Sequence, residues 1–283
     1  MIKSTIRELP KKTVEMNIHI PWEDIKETYD RILQKVAAET EIPGFRKGKA
    51  PRKIVEKKID QSKVYEKVAQ EIVPKAYADE IKKHDLKPVT APKVQVEKAD
   101  KEKEWILKAT IALKPTVNLK NYKQKVKLLK KDKTKIWVPG DKEKKDDRKN
   151  KLSLDDLIKS ILEEAEVEIS DLLITEETNR LLSNLIDQTQ KLGMSVEQYL
   201  LAKGKTSDQI KSEYKEQAER NLKIEFILAE IADSEKITVA QEDIDKILKT
   251  VEKEEEKAKL QKDSYYLAHL IRQQKTLDFL NNL

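Results

Sequence analysis

Alternation of apolar and polar residues marks the strands of the first part of the chain. Residues 13–20 alternate strictly, which predicts a strand with one buried face. Residues 3–9 are expected to pair with it across a short turn. Alternation returns at Val94 and Val96 and again over 105–113, which predicts two further strands.

Between these strands the apolar residues recur at helical spacing. One stripe predicts a helix that begins after Pro21 and ends near Glu41, and it consists of Ile25, Tyr29, Ile32, Leu33 and Val36. A short helix is expected after Pro51, and a longer one over 62–84. The order β-β-α-α-α-β-β predicts an α+β domain over residues 1–115.

Helical spacing dominates residues 152–283, which predicts an all-α domain. Polar residues that can cap a helix N-terminus precede five of the apolar stretches, and a glutamine follows three residues later in the last three, as in a capping box. These predicted caps are Ser153, Thr175, Ser195, Thr206 and Thr238. The whole chain is therefore expected to be elongated, with helical arms in its second part.

Residues 116–151 differ from both neighbours because they are rich in lysine. Apolar residues are sparse there, and Val126 and Leu128 alternate as in a short extended piece. A segment that cannot bury enough apolar surface does not fold alone. The pattern therefore predicts a Lys-rich linker between the two domains.

Charge is distributed unevenly along the 283 residues. Residues 1–150 hold 39 Lys and Arg against 24 Asp and Glu, a net of +15, whereas residues 151–283 hold 19 against 28, a net of −9. The first half therefore favours a polyanionic partner.

Several kinds of chemistry are not expected. The chain has no cysteine, and His19, His84 and His269 lack the spacing of metal ligands, so neither a metal nor a cofactor is predicted. No Walker loop and no serine nucleophile elbow are present, which argues against ATP-driven cycling and against a catalytic residue. An apolar N-terminal region and a run of ~20 apolar residues are also absent, so we expect a cytoplasmic protein without a membrane partner.

A glycine-bounded loop between the first helices carries the strongest functional signal. Its sequence is Gly44-Phe45-Arg46-Lys47-Gly48-Lys49-Ala50-Pro51, and the basic residues Arg52 and Lys53 follow. A phenylalanine ringed by cations suits docking on an RNA–protein surface, because cations follow phosphates and an aromatic ring fills a pocket. The alternative is a solvated loop whose Phe45 folds back onto its own helices.

This loop, in its context after a β-hairpin, resembles the signature loop of the trigger factor family. The stretch over 105–121 resembles the end of that family's ribosome-binding domain, and the helices over 152–283 more loosely resemble its chaperone domain. The resemblance implies an ATP-independent chaperone that docks on the large ribosomal subunit, on a protein at the tunnel exit and on rRNA phosphates. Docking would be carried by Phe45, Arg46 and Lys47, with Gly44, Gly48, Lys49 and Pro51 in the loop.

The resemblance also implies partners for the helical part, namely unfolded or nascent polypeptides and, as a further partner, a second copy of the chain. Tyr199, Leu200, Tyr265 and Tyr266 are the apolar positions predicted to contact clients. Family members usually carry an inserted FKBP-like prolyl isomerase domain, for which residues 114–151 are too few. We therefore expect no isomerase activity.

Two other functions remain open at this point. The basic first half is compatible with an RNA-binding protein that needs no ribosomal protein. The helices are also compatible with a general holdase of the SurA or PrsA kind, although those chaperones are secreted and no signal sequence is visible.

Overall fold

The chain folds into two compact units, Met1–Lys114 and Pro115–Leu283. The computed structural model describes residues 2–39, 45, 51, 54, 58, 60–134, 153–250, 260–261 and 263–283. Each unit is built around a core of its own.

The first unit is a four-stranded antiparallel sheet with two long helices on one face. Its elements are β1 (Lys3–Leu9), β2 (Thr13–Ile20), α1 (Trp22–Glu39), α2 (Gln61–Lys83), β3 (Lys93–Lys98) and β4 (Trp105–Ala112). The strand order is β1-β2-β4-β3. These elements confirm the predicted strands and both long helices. The short helix expected after Pro51 lies mostly outside the described residues, although Ile54 and Lys58 are helical.

The central strands β2 and β4 supply the floor of this core. Met16 and Ala109 stand opposite each other in the register, and neither is exposed to solvent. Because side chains alternate along a strand, the inward residues of β2 are buried while their neighbours reach the other face. The helices cover this inward face with Ile25 from α1 and with Val68 and Ile72 from α2.

A buried polar network joins the edge strand β1 to the end of α2. The Glu80 side chain is almost wholly buried, and its carboxylate accepts hydrogen bonds from the Ser4 hydroxyl and from Lys83 Nζ, the latter at 3.0 and 3.2 Å. Ser4 Oγ also lies 2.8 Å from His84 Nε2. Burial alone would raise the pKa of Glu80, but these hydrogen bonds and the charges of Lys83 and His84 together bring it below its ordinary value of 4.5.

The second unit is helical apart from one two-stranded pair. Its elements are β5 (Val117–Asn118), α3 (Tyr122–Thr134), α4 (Leu154–Glu164), β6 (Glu166–Val167), α5 (Asp171–Lys191), α6 (Val196–Lys203), α7 (Ser207–Ser234), α8 (Gln241–Thr250) and α9 (Ser264–Asn282). Helix α7 packs against α5, α9 and α4, and α8 packs against α9. The predicted sequence of an α+β part followed by a helical part is confirmed.

The prediction of a linker over 116–151 is wrong for its first half. Residues 117–134 form β5 and α3, and Tyr122 and Val126 are buried in the core of the second unit against Leu157 and Ile161. Val126 and Leu128 therefore lie on a helix rather than on an extended piece. The segment folds because the apolar face of α4 covers it, which sequence composition alone does not reveal. Residues 135–151 lie outside the described residues.

Ion pairs accompany the packing of this lysine-rich segment on the second unit. Lys120 pairs with Glu166 at 2.5 Å, Lys123 pairs with Glu235 at 2.6 Å, and Lys125 lies 3.7 Å from Glu163. The Tyr122 hydroxyl also donates to Glu235 at 2.8 Å. Exposed pairs of this kind contribute little individually, so the buried apolar face of α3 carries most of the stabilisation.

Two of the predicted helix caps are displaced. Ser170, not Thr175, caps α5 and accepts from the Leu172 N–H at 3.2 Å. Thr175 lies one turn inside, where its hydroxyl donates to the Asp171 carbonyl at 2.7 Å. The helix starts early because Leu173 is buried.

The Thr238 capping box is also absent. Helix α8 begins at Gln241, and the Asp243 carboxylate accepts from the Ala240 N–H at 2.9 Å. The carbonyl of Thr238 instead accepts from Lys275.

The remaining predicted caps are confirmed. Ser153 caps α4, and Ser195 and Thr206 form full capping boxes with Gln198 and Gln209. Gly204 ends α6 with φ of 64°, a left-handed conformation that glycine adopts without steric cost.

Replacing Glu80 with glutamine should lower the free energy of unfolding of the first unit by about 1–3 kcal/mol at neutral pH, because it removes a buried charge-assisted network. The folded-state pKa of Glu80 is depressed, so its contribution is present above about pH 4.5 and is lost as the pH falls through the folded-state value. The difference between wild type and variant should therefore shrink towards pH 3 in urea unfolding followed by circular dichroism.

Glu66→Gln, on an exposed position of the same helix, is the matched control and should change stability by less than about 0.5 kcal/mol. A gap between wild type and Glu80→Gln that stays constant from pH 7 to pH 3 would contradict the proposed role of the carboxylate.

Candidate functional site

Two helices that pack on the sheet, α1 and α2, lie before and after the glycine-bounded loop in the chain. Arg31 on α1 and Glu71 on α2 form an ion pair between the two helices, and the Arg31 hydrogen bond lowers the pKa of Glu71. Tyr65 stacks between Tyr29 and Trp105, with ring centroids 5.0 and 6.1 Å away. The core therefore fixes α1 and α2, the helices on either side of the region that contains the loop.

The described residues of the loop region place its phenylalanine at the surface. The Phe45 side chain is 40% exposed. On the other side of the loop, the Ile54 N–H donates to the exposed Pro51 carbonyl at 2.9 Å, and Ile54 packs against the core. Phe45 is thus not enclosed by its own unit, while Ile54 anchors the return of the chain.

Most of the predicted docking residues lie outside the described residues. They are Gly44, Arg46, Lys47, Gly48, Lys49, Arg52 and Lys53. Of the predicted set, only Phe45 and Pro51 have described positions, and both are exposed. The docking role of the loop remains a prediction.

The two units differ less in net charge than the two halves of the sequence do. Residues 1–114 carry 26 Lys and Arg against 19 Asp and Glu, a net of +7, and residues 115–283 carry 32 against 33, a net of −1. About half of the positive excess of residues 1–150 therefore belongs to the second unit. The remaining excess is concentrated near the loop, where seven cations lie between Ile42 and Lys58.

Exposed aromatic residues form a second candidate surface at the start of α9. Tyr265 is 90% exposed and Tyr266 is 58% exposed, and Leu270 lies one turn further on. The following part of α9 is fixed by Arg272, which donates to the Ile237 carbonyl at 2.9 Å and to Asp233 at 2.7 Å. The helix thus presents aromatic rings to solvent from a rigid base.

Helix α6 offers a third group of apolar side chains. None of its residues is buried. Tyr199 and Leu200 are half-buried, and Lys203 Nζ lies 5.9 Å from the centroid of the Tyr199 ring. Burial, together with the nearby Tyr199, raises the pKa of Tyr214. Their neighbours Leu201 and Leu192 are far more exposed, at 81% and 73%.

Leu192 and Leu201 were missed by the sequence analysis. Both belong to helical apolar patterns, which normally indicate a core position. No signal in the sequence separates them from buried leucines, because their exposure depends on how other elements pack around them.

Ligand chemistry of other kinds finds no support in the part of the chain that is described. No group of three metal-binding side chains occurs there. No helix within that part is long and apolar enough to cross a lipid bilayer.

These features define a class of protein: an α+β unit with a loop that exposes a phenylalanine, followed by a helical unit with apolar side chains in solvent. Comparison with known families agrees with this class. A family model described as bacterial trigger factor protein matches residues 2–139, and the model of the trigger factor C-terminus matches residues 129–282. The chain belongs to the trigger factor family.

Individual relatives resemble the first part of the chain. Trigger factor of Mycolicibacterium smegmatis is 31% identical over 118 residues, which cover 42% of this chain and 25% of the relative. Trigger factor of Levilactobacillus brevis is 37% identical over 109 residues, covering 38% of this chain and 25% of the relative. The matched region thus spans about a quarter of the length of these curated relatives.

One solved structure resembles the whole fold. It belongs to a trigger factor chaperone studied for promiscuous substrate recognition in folding and assembly. The TM-score is 0.66 at 15% sequence identity, and the match covers 98% of this chain and 99% of the other. At this identity the similarity establishes the fold.

Proposed function

We propose that this protein is a cytoplasmic, ATP-independent chaperone that docks on the ribosome near the polypeptide exit tunnel and shields apolar segments of nascent chains. The observation that carries the proposal is the exposed Phe45 within a basic loop whose flanking helices are fixed by the core. Membership of the trigger factor family supports it.

Docking combines one apolar anchor with surrounding cations. Phe45 enters an apolar pocket on a ribosomal protein, where a desolvated aromatic ring acts as a binding hot spot. Arg46, Lys47 and Lys49 pair with acidic groups or rRNA phosphates, which speeds association and makes affinity depend on salt.

Client binding belongs to the second unit. Tyr265 and Tyr266 on α9, with Leu201 on α6, expose apolar surface that an unfolded segment can cover. Burial of apolar area is favourable by ~25 cal/mol per Å² and has no directional requirement, so clients of unrelated sequence can bind. The nearly neutral unit avoids strong attraction to rRNA.

The proposal includes no prolyl isomerase site. The two family models overlap over residues 129–139, and α3 of that region is part of the helical core. We therefore expect the chaperone to act by shielding rather than by isomerisation.

The docking proposal predicts that Phe45→Ala/Arg46→Ala/Lys47→Ala lowers affinity for the large ribosomal subunit by roughly tenfold or more, because it removes the anchor and two cations. Co-sedimentation with ribosomes at physiological salt measures the effect. The control is Lys93→Ala/Val96→Ala/Lys98→Ala, which removes one exposed apolar residue and two exposed lysines from β3 and should bind normally.

Wild-type co-sedimentation of the loop variant would exclude this role for the loop. Salt-sensitive binding to naked rRNA that equals binding to the subunit would favour the simple RNA-binding alternative instead.

The client-binding proposal predicts that Tyr265→Ala/Tyr266→Ala weakens suppression of client aggregation roughly fivefold, because two exposed rings are lost without disturbing a core. Light scattering of a denatured client at several chaperone concentrations gives the readout. Lys211→Ala/Glu216→Ala, two exposed charged positions on α7, should behave as wild type. Equal activity of the tyrosine variant would remove these residues from the client surface.

Refolding of a substrate limited by proline isomerisation tests whether this protein has prolyl isomerase activity. The slow phase should keep its uncatalysed time constant of roughly tens to hundreds of seconds at 25 °C. Aggregation of the same substrate should still fall. Acceleration of the slow phase at catalytic amounts of this protein would contradict the shielding mechanism.

A further inference from the structure

The face of the sheet opposite α1 and α2 carries a second concentration of positive charge in the first unit. Side chains alternate along a strand, so the residues beside the buried Met16 and Ala109 point away from the helices. The strand register arranges these outward residues in three rows of four, which together we call the outer face. The rows run from Arg7 to Lys93, from Thr5 to Gln95 and from Lys3 to Lys98.

Lysine and arginine occupy the four corners of the outer face. Lys3 and Arg7 stand on the edge strand β1, and Lys93 and Lys98 stand on the edge strand β3. All four are exposed, and none forms an ion pair with another residue of the described part of the chain. Neighbouring corners are about 14 Å apart, both along and across the strands. The outer face therefore presents four unpaired cations to solvent.

The interior of the outer face is polar and has no charge in excess. Its one carboxylate, Glu15, is engaged by Lys108 of the neighbouring strand, with 2.7 Å between Nζ and Oε2. Thr5 and Gln95 add an exposed hydroxyl and an exposed amide between the corners. No Phe, Tyr or Trp stands at any position of the three rows.

The charge of the first unit is thus concentrated in two places. The outer face holds five cations and one carboxylate, a net of +4, and residues 42–58 hold seven cations and one carboxylate, a net of +6. Since residues 1–114 have a net charge of +7, the rest of the unit has a net charge of −3. The positive charge of the outer face is therefore a local feature rather than a share of a uniformly basic surface.

We propose that the outer face binds single-stranded RNA through the sugar–phosphate backbone. The four corner cations attract successive phosphates, while the hydroxyl and amide groups between them hydrogen-bond phosphate oxygens and ribose 2′-hydroxyls. Because the outer face offers no aromatic ring for base stacking, binding depends strongly on salt and little on base sequence. This function is additional to docking through Phe45 and does not depend on it.

A folded protein and a lipid bilayer are less suitable partners for this face. The centre of a stable protein interface is apolar, and segments that bind a bilayer surface insert apolar side chains. Ile106 is the one apolar residue of the outer face, and it is partly covered. An RNA backbone requires only cations and hydrogen-bonding groups, which the outer face supplies.

Fluorescence anisotropy of a labelled oligouridine with the full chain tests the proposal. The corner variant, Lys3→Gln/Arg7→Gln/Lys93→Gln/Lys98→Gln, removes the four unpaired cations. The helix variant, Lys26→Gln/Lys63→Gln/Lys67→Gln/Lys82→Gln, makes the same change in net charge at exposed positions of α1 and α2. An oligodeoxyuridine of equal length and vesicles of phosphatidylcholine with phosphatidylserine are the comparison ligands.

The wild type and the helix variant should bind the RNA alike, and the corner variant should bind it roughly tenfold more weakly or worse at low salt. The slope of log affinity against log salt should become shallower by about 0.7 for each phosphate contact that the corner variant loses. The DNA oligomer should bind the wild type more weakly than the RNA, because it lacks the 2′-hydroxyl.

Ribosome co-sedimentation should be normal for the corner and helix variants, because both keep Phe45 and the basic loop. Affinity for the oligouridine should also stay below that for the large subunit, since the outer face has no apolar anchor. These two measurements separate RNA binding at the outer face from the proposed docking.

Equal affinity of the corner and helix variants for the RNA would overturn the proposal, since overall charge would then account for binding. Equal affinity of the wild type for RNA and DNA would overturn the assignment to RNA. Loss of RNA binding in Phe45→Ala/Arg46→Ala/Lys47→Ala, with the corner variant unaffected, would place the RNA site at the loop. Vesicle binding that requires the corner cations, without RNA binding, would assign the outer face to a lipid surface instead.

Discussion

The packing of α1 and α2 on the buried face of the sheet is the interaction on which the first unit depends. Ile25, Val68 and Ile72 cover the inward residues of β2 and β4, and none of these helix residues is more than 5% exposed. Because α1 and α2 are held by this core, they end at fixed positions on either side of the region that contains the exposed Phe45.

The second unit depends on an equivalent apolar contact between α3 and α4, to which charge adds little. Val126 is fully buried beside Leu157 and Ile161, and the lysines of α3 meet glutamates at its edges. Ion pairs at the edge of a helix interface select orientation more than they stabilise. This arrangement makes a segment with the composition of a linker part of a folded core, and about half of the net positive charge of residues 1–150 therefore belongs to the second unit.

Exposed apolar side chains are costly unless a partner covers them, and here they are concentrated where the local helices are otherwise well anchored. Helix α6 is capped at both ends but buries no residue, while α9 is tied down by Arg272 and presents Tyr265 and Tyr266 to water. Such a distribution suits binding of chains that have not yet folded, because the surface is ready and needs no rearrangement. On α9 the buried residues Leu267 and Ile271 and the exposed tyrosines thus lie on one helix.

The sequence by itself determined most of the secondary structure and the identity of the loop. Alternation in β2, helical spacing in α1 and α2, and the caps at Ser195 and Thr206 are local signals, so neighbouring residues suffice to read them. Only the tertiary structure decided that α3 is a helix packed in the core of the second unit, that the cap of α5 is Ser170 rather than Thr175, and that Leu201 is exposed. Each of these depends on whether a distant element covers an apolar side chain. The pattern along one segment holds no information on which element packs against it.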